Sequence, residues 1–501
     1  MKVSDLFSPW EKNENTPFIL KEKPPENPDI RGIHYSSDKI QPGDLFVAVP
    51  GFTADGHSFA RQAAKNGAAF LVAERPVPEA GLPTAIVSDS RKALAALSAA
   101  FYGFPAENLT LIGITGTNGK STTTHIIEQI LTHAGHATGV MGTIDWHYPG
   151  HREAVSTTTP ESRDLQARLA AMRDAGVTHV IMEVSSHAID LGRIDHSPFD
   201  VAVFTNLSQD HLDYHGNIEN YWNCKKTFLE SILDGRYGKK DASLILNVDD
   251  PRGEKLLNQC IASTGGNRLL STGQHPDALI RPGNPRFSLS GIRCTISTPE
   301  EAIPVNCPLV GAFNLENILV ATAAALALKV RPEIIKKALE SPLSVPGRLE
   351  PVSDPKGRFI FVDYAHTPDA LKKALTALKK STPGRLIVVF GCGGDRDRTK
   401  RPLMAGIAAD NADFCVITSD NPRSENPEAI IQDIIQGIPE GTPLLVEKDR
   451  EKAILEAIAM AGPGDTILIA GKGHENYQIV GDKVLSFDDR TVARKGVLFH
   501  A

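Results

Sequence analysis

The chain lacks the features that would tie it to a membrane, a nucleic acid or an oxidising compartment. No run of about 20 apolar residues occurs, as a membrane-spanning helix would require. The N-terminal MKVSDLFSPWEKNENTPF has no basic segment followed by an apolar one, so neither a leader nor an anchor is expected. Six cysteines (Cys224, Cys260, Cys294, Cys307, Cys392 and Cys415) are scattered without a single CxxC spacing. That pattern suggests no disulfide framework and no zinc cluster, and it fits a reducing cytoplasm. Basic excess is missing too: 53 Lys and Arg face 60 Asp and Glu, giving a formal net charge of -7. No global attraction to nucleic acid or anionic lipid follows, and any anion must be bound by a local basic pocket. The 41 Gly and 34 Pro are dispersed, with no low-complexity tail and no fixed-period repeat of the solenoid kind.

What is present is a long α/β pattern. At 501 residues, and roughly 150 residues per domain, about three domains are expected. The boundaries read as 1–103, 104–343 and 344–501: a small N-terminal α/β domain, a central P-loop ATPase-like parallel-sheet domain and a C-terminal Rossmann-like α/β domain. In the first, the short apolar runs Leu45–Val49 and Ala68–Ala73 precede an Ala-rich helical stretch, Arg91–Ala100. Apolar strands at Leu109–Ile114, Val177–Val184, Val201–Leu207 and Leu244–Val248 then alternate with helical segments, which is the signature of a parallel sheet. After Ser341-Pro342 a second series begins, at Phe359–Val362, Leu386–Phe390, Phe414–Thr418 and Thr466–Ile469.

Between the first central strand and a helix expected near Lys120 lies Thr115-Gly116-Thr117-Asn118-Gly119-Lys120-Ser121-Thr122. Glycines let the backbone wrap a phosphate, the helix start offers unpaired N–H groups, Lys120 adds a point charge, and Ser121 is suited to Mg²⁺. The strict P-loop would have Gly where Ile114 stands, so the match is to the shorter G-x-x-G-K-[ST] form. Taken alone, the loop is either an ordinary turn or a nucleotide site, and nucleotide binding reads better. The next strand ends in Glu183-Val184-Ser185-Ser186-His187, and the one after it in Thr205 to His215, both rich in polar groups where an open parallel sheet collects ligands.

Ten ordered segments carry a resemblance to the Mur ligase family. They are Pro42–Ala48, Thr115–Ser121, Glu183–His187, Asp210–Gly216, Gly311–Asn314, Pro346–Arg348, Asp363–Pro368, Gly391–Asp397, Asp420–Arg423 and Gly471–Glu475. The resemblance implies an ATP-dependent ligase of peptidoglycan precursor synthesis: a γ-phosphoryl activates a substrate carboxylate, and an amine attacks the acyl phosphate. It implies that Lys120 contacts phosphate, that Ser121 and Glu183 hold one Mg²⁺, that His211 helps hold a second, and that Lys225 is carboxylated and supports a metal. It further implies adenine-side contacts from Asn314 and Asn317, a γ-phosphate contact from Arg348, and ribose or adenine neighbours in Asp363 and His366.

Asp420-Asn421-Pro422-Arg423 resembles the family's diaminopimelate signature, with Arg396, Gly471 and Glu475 as further contacts. A guanidinium grips the distal carboxylate that diaminopimelate has and lysine lacks. The resemblance thus implies addition of meso-diaminopimelate to UDP-MurNAc-L-Ala-D-Glu by a cytoplasmic monomer that binds small molecules, no nucleic acid and no membrane. For the UDP-sugar it implies Ser37, Thr53, Ala54, Thr157, Thr158, Thr159, Ser185 and Arg193. Departures are Ser36-Ser37-Asp38 where the family commonly reads Asp-Ser-Arg, Thr157 where Asn is frequent, and Leu191 where some members have Gln. The alternatives are a lysine-adding ligase, against which Arg423 argues, a folylpolyglutamate synthetase, against which Pro42–Ala48 argues, and a non-catalytic nucleotide-binding homologue. Retention of Lys120, Glu183, His211 and Lys225 argues against the last. A motor-type ATPase would leave the diaminopimelate signature unexplained.

Overall fold

The computed structural model describes residues 1–11, 18–22, 26–264, 266 and 268–499. The end of the N-terminal stretch read for a leader falls on residues 12–17, outside the described residues. The chain forms two compact units: Met1–Gly116 with Ala134–Leu246 and Pro251–Leu270, and Thr117–His133 with Asn247–Asp250 and Ser271–Ala501. Among the described residues no helix is long and apolar enough to cross a membrane.

The first unit holds two sheets. A five-stranded one pairs Ile33–His34, Leu45–Val47, Phe70–Ala73 and Thr84–Val87 in parallel and adds Leu20–Glu22 antiparallel at one edge. The expected Ala-rich helix is Ser90–Phe101, started by Asp89, whose carboxylate accepts from the N–H groups of Arg91 and Lys92. The larger sheet runs in the order Gly238–Asn247, Phe199–Phe204, Thr110–Thr115, His179–Glu183, Thr138–Met141, Asp145–Tyr148, His151–Ala154, and its eighth strand, Leu269–Thr272, flanks the first of these. Its inner strands are buried on both faces, which is why they read as continuous apolar runs. Glu183 pairs with Ile114 and Phe204 with Thr115, so three strands end level and their polar loops leave from one edge.

The second unit is built on a six-stranded sheet ordered Glu350–Val352, Phe359–Asp363, Thr466–Ala470, Leu386–Phe390, Phe414–Ile417, Leu444–Val446, with only the first strand antiparallel. Asp363, Phe390, Ile417 and Ala470 are the carboxyl ends of four neighbouring parallel strands. The loops they launch are the four motif segments Asp363–Pro368, Gly391–Asp397, Asp420–Arg423 and Gly471–Glu475. The helix Lys120–His133 begins where it was expected.

Three antiparallel additions were not anticipated: the hairpin Asp145–Tyr148/His151–Ala154, a three-stranded sheet over Arg281–Ser288, Gly291–Ser297 and Ala302–Cys307, and the hairpin Tyr477–Val480/Lys483–Ser486. Alternating burial in Ala302–Cys307 and the two-residue Gly481-Asp482 turn are the period-2 and turn signals that mark them.

Candidate active site

In the first unit, Lys225 comes from the helix Ile218–Leu233 and is 1% exposed. Its ammonium donates to the Gly116 carbonyl at 3.0 Å, reaches Thr115 Oγ1 at 3.4 Å and lies 4.6 Å from the centre of the Tyr221 ring. The lysine therefore stands behind the first glycine of the loop rather than on a solvated helix face.

Glu183 is buried, and both its oxygens accept from Thr143: Oε1 from the N–H at 2.9 Å and Oε2 from the hydroxyl at 3.0 Å. The Thr143 hydroxyl also meets that of Thr158 at 3.0 Å. Thr159 donates to the Glu183 carbonyl at 2.8 Å and accepts from the Ser185 N–H at 3.1 Å. Arg193 donates to the Thr159 carbonyl at 3.1 Å and lies 3.5 Å from Glu161, which also pairs with Arg91 at 2.8 Å. One network thus joins Glu183, Thr158, Thr159, Ser185 and Arg193. Thr143, Glu161 and Arg91 belong to it without having been anticipated.

His211 has φ 53°, and its ring lies 5.0 Å from that of His187 and 6.0 Å from that of Tyr221. Burial, then His215 and Arg193, hold the His187 imidazole below its ordinary value. Ser37 is buried, and its carbonyl accepts from Asn66 at 2.9 Å. Thr53 and Ala54 are exposed on a tight loop closed by the Gly51 N–H on the Ala54 carbonyl at 2.9 Å. Thr157 is exposed, and no bond of the Glu183 network includes its side chain.

In the second unit the rest of the phosphate loop is held by its own backbone and by a helix behind it. Lys120 Nζ donates to the Thr117 carbonyl at 2.9 Å, and Asn118 to Asp369 at 3.2 Å. Gly119 has φ 85°, and a Cβ there would lie 2.2 Å from Asn317 Oδ1, so a side chain is excluded by both conformation and space. Asn317 donates to Asn314 at 2.9 Å, and Asn314 to the Val310 carbonyl at 2.7 Å; both asparagines and Thr122 are buried.

Arg348 donates to Ser121 Oγ at 3.3 Å and lies 4.9 Å over the Tyr364 ring, which is 4.6 Å from His366 and 4.9 Å from His474. A continuous set of contacts therefore runs from the start of the phosphate helix to the Gly471–Glu475 loop. Asp363 accepts from the N–H groups of Leu349 at 2.7 Å and Ala365 at 2.8 Å, and so ties the residue after Arg348 to the start of its own loop.

Three of the motif loops, Gly391–Asp397, Asp420–Arg423 and Gly471–Glu475, contact one another, and the first two carry a pair of neighbouring arginines. A Cβ on Gly393 would lie 2.9 Å from Arg423 Nη1 and 3.8 Å from Arg396 Cγ, so both flank that glycine. Arg423 donates to the Gly394 carbonyl at 2.8 Å, and among the described residues it has no carboxylate partner. Asp420 is 8% exposed, and its Oδ2 would be 2.7 Å from a Cβ on Gly471, where φ is 118°. Asn421 accepts from Ile479 and donates to Glu475 at 2.9 Å, so its amide is engaged within the protein. Pro422 passes the chain to Arg423 at φ 52°.

Sequence reasoning missed two buried cations beneath these loops. Arg401 binds Glu425 and Asp433 and holds the Gly393 carbonyl at 3.2 Å, and it pulls the Glu425 carboxyl down to about 2. Arg450 binds both oxygens of Asp489 at 2.7 Å and reaches the carbonyls of Ser419 and Ala470. Neither lies in a recognisable motif, and an isolated arginine gives no sign of burial.

Three family descriptions match the chain in order: Mur ligase family, catalytic domain over residues 29–102, Mur ligase middle domain over 114–325, and Mur ligase, glutamate ligase domain over 347–473. A curated relative from Geobacillus thermodenitrificans, named UDP-N-acetylmuramoyl-L-alanyl-D-glutamate--2,6-diaminopimelate ligase, is 47% identical over 475 residues, 94% of this chain and 95% of its own length. A solved structure of a protein with the same name is 31% identical with a TM-score of 0.68, covering 94% of this chain and 95% of that one. A MurF ligase from Thermotoga maritima in complex with ADP shares the fold at 21% identity and a TM-score of 0.61, covering 94% of this chain and 96% of that one.

Proposed function

Because the chain belongs to the Mur ligase family, we propose that it joins meso-diaminopimelate to the D-Glu carboxylate of UDP-MurNAc-L-Ala-D-Glu, using ATP to activate that carboxylate as an acyl phosphate. The observation that carries the choice of amino acid is Arg423: a partly buried guanidinium with no carboxylate partner among the described residues, flanking Gly393 beside Arg396. Diaminopimelate brings a distal carboxylate to it, and a lysine substrate would leave the guanidinium without an anion. Asp420 and Glu475 complement the distal ammonium, and Gly471 keeps the approach to Asp420 open. Pro422 fixes the turn, while Asn421 serves as its internal brace.

Catalysis then consists of positioning and charge neutralisation, with no protein nucleophile. Lys120 and the N–H groups of Gly116 to Thr122 hold phosphates, Arg348 reaches the γ-phosphate, and Asn314, Asn317, Asp363 and His366 shape the nucleoside side. Ser37, Thr53, Ala54, Thr157, Thr158, Thr159, Ser185 and Arg193 take the UDP-sugar dipeptide. Bound Mg²⁺ neutralises phosphate charge. The residues proposed to hold it are Ser121, Glu183, His211 and a carboxylated Lys225, an oxygen-rich set that suits a hard cation. The pair of Thr143 bonds on Glu183 supports this, because both carboxylate oxygens are oriented there in advance. The burial of Lys225 beside Gly116, away from the solvated helix face, supports the reading that it is carboxylated. We place the protein in the cytoplasm as a monomer of three domains, 1–103, 104–343 and 344–501, a division that the ordered matches support.

The test is direct. Purified protein is given ATP, Mg²⁺ and UDP-MurNAc-L-Ala-D-Glu with either diaminopimelate or lysine, and product mass and phosphate release are followed. Amide product with diaminopimelate and little with lysine is expected, whereas comparable turnover of both would overturn the assignment.

A further inference from the structure

The loop after the Thr466–Ala470 strand carries a cation that no ligand is expected to touch. The side chain of Lys472 has 0% relative exposure, and lysines are almost never fully buried unless paired. Its ammonium lies 3.1 Å from Asn421 Oδ1 and 3.1 Å from Glu475 Oε2, with the Tyr477 ring centre at 5.4 Å. Asn421 Nδ2 donates to the same Glu475 oxygen at 2.9 Å. Lys472, Asn421 and Glu475 therefore close a triangle.

That triangle is fastened to the hairpin Tyr477–Val480/Lys483–Ser486. The Ile479 N–H donates to Asn421 Oδ1 at 3.0 Å, and Gln478 donates to the Asp420 carbonyl at 2.7 Å. The hairpin in turn grips Arg423: its N–H donates to the Ile479 carbonyl at 3.0 Å, and its carbonyl accepts from the Gly481 N–H at 2.7 Å. These bonds hold a non-glycine residue at φ 52°, a conformation that persists only where the surroundings over-determine it.

We infer that Lys472 is the positioning residue that sets the amino-acid specificity of this pocket, acting through Asn421, Glu475 and the hairpin without touching the incoming amino acid. The inference rests on the proposed assignment of the pocket to diaminopimelate. Two consequences follow from its charge. The ammonium pairs with Oε2 of Glu475, the oxygen that also accepts from Asn421, and leaves Oε1 outside the triangle. It also fixes which way the Asn421 amide points, because Oδ1 must face two donors, and that orientation keeps Ile479 in register with Arg423. Lys472 thereby holds the negative end of the pocket at Glu475 and the positive end at Arg423 in a fixed relation. That relation separates a substrate with both a distal ammonium and a distal carboxylate from one with the ammonium alone.

Steady-state kinetics of the full chain test this with Lys472→Met, which keeps side-chain length and removes the charge. The KM for diaminopimelate should rise at least tenfold, with the KM values for ATP and UDP-MurNAc-L-Ala-D-Glu within twofold, and the preference over lysine should fall by a similar factor. Lys472→Arg should recover part of the loss. Because the two act as a unit, Lys472→Met combined with Glu475→Gln should be no worse than the poorer single variant. An unchanged KM for diaminopimelate, a parallel rise for all three substrates, or additive losses would overturn the inference. Should Lys472→Met alone fail to fold, the double variant, which leaves neither charge, is compared with Glu475→Gln: equal KM values for diaminopimelate support the coupling, and a further tenfold rise overturns it. A wild type that does not turn over diaminopimelate overturns the reading of the pocket. A wild type that does, with an indifferent Lys472→Met, overturns only the role of Lys472.

Discussion

The proposed phosphate loop and the proposed amino-acid pocket are held in shape by different parts of the chain. In the loop the fixed features are backbone ones: φ 146° at Gly116, φ 85° at Gly119, and a helix that starts at Lys120. In the pocket they are buried side chains that bond within the protein, with Arg401 on Gly393 and Glu425, Arg450 on Ser419 and Ala470, and Lys472 between Asn421 and Glu475. A backbone cradle offers N–H groups to any phosphate, so it is general. A pocket braced by buried ion pairs sets the separation of its charges, so it can be selective.

The largest effect should come from removing the one side-chain charge the loop does supply. Lys120→Ala should lower kcat/KM by about 10³-fold, on the order of 4 kcal/mol of transition-state stabilisation. Phosphate-release kinetics and a thermal melt check it. The KM for diaminopimelate should move less than twofold and the melt should stay close to that of the wild type. If the diaminopimelate KM rose as steeply as that for ATP, the two regions would not be separable and the contrast would fail.

The same contrast explains what could be read from the sequence. Gly116 and Gly119 sit at a fixed spacing from Lys120 and Ser121 because the backbone turns through positive φ at the two glycines just before the helix starts, so the loop and its helix were legible. The strands Leu386–Phe390 and Thr466–Ala470 were legible because both faces are buried and the residues run apolar throughout. Arg401 and Arg450 were not, since each meets partners distant in sequence, such as Asp489 for Arg450; Lys472 lay within a motif segment, but its bond to the distant Asn421 was not readable from it. Thr143 was hidden for the same reason: its bonds to Glu183 exist only once two strands are neighbours. The Tyr477–Val480 hairpin escaped notice because its strands are short, and its value lies in the bonds it makes to Arg423.

A smaller effect sharpens the comparison from the pocket side. Arg423→Ala should raise the KM for diaminopimelate about 30- to 100-fold, the roughly 2–3 kcal/mol of a charge-assisted pair, measured with ATP and UDP-dipeptide saturating. Turnover with lysine should hardly change, because lysine gives Arg423 no carboxylate. A parallel loss with both amino acids would mean that Arg423 braces the fold rather than reads the substrate.

The smallest effect lies outside both regions and separates acid loss of the fold from acid loss of the site. His179 begins the strand that ends in Glu183, and its ring lies 4.0 Å from that of His136. Burial, then His136, pulls its imidazole down to about 4, with Asp200 opposing. An unfolded histidine titrates near 6.5, so between about pH 6.5 and 4 the unfolded chain binds a proton that the folded chain refuses. Its contribution to stability is therefore fully present above pH 6.5 and is lost as pH falls toward 4. Allowing for the ring's partial exposure, on the order of 1–2 kcal/mol is at stake. Thermal midpoints at pH 7.5 and 5.0 should differ less in His179→Gln than in the wild type. If activity at pH 5.0 falls equally in both while only the wild type loses its melting temperature, the acid limb of activity belongs to the ligand-binding loops. If the variant retains activity as well as stability, that limb belongs to the sheet that carries Glu183.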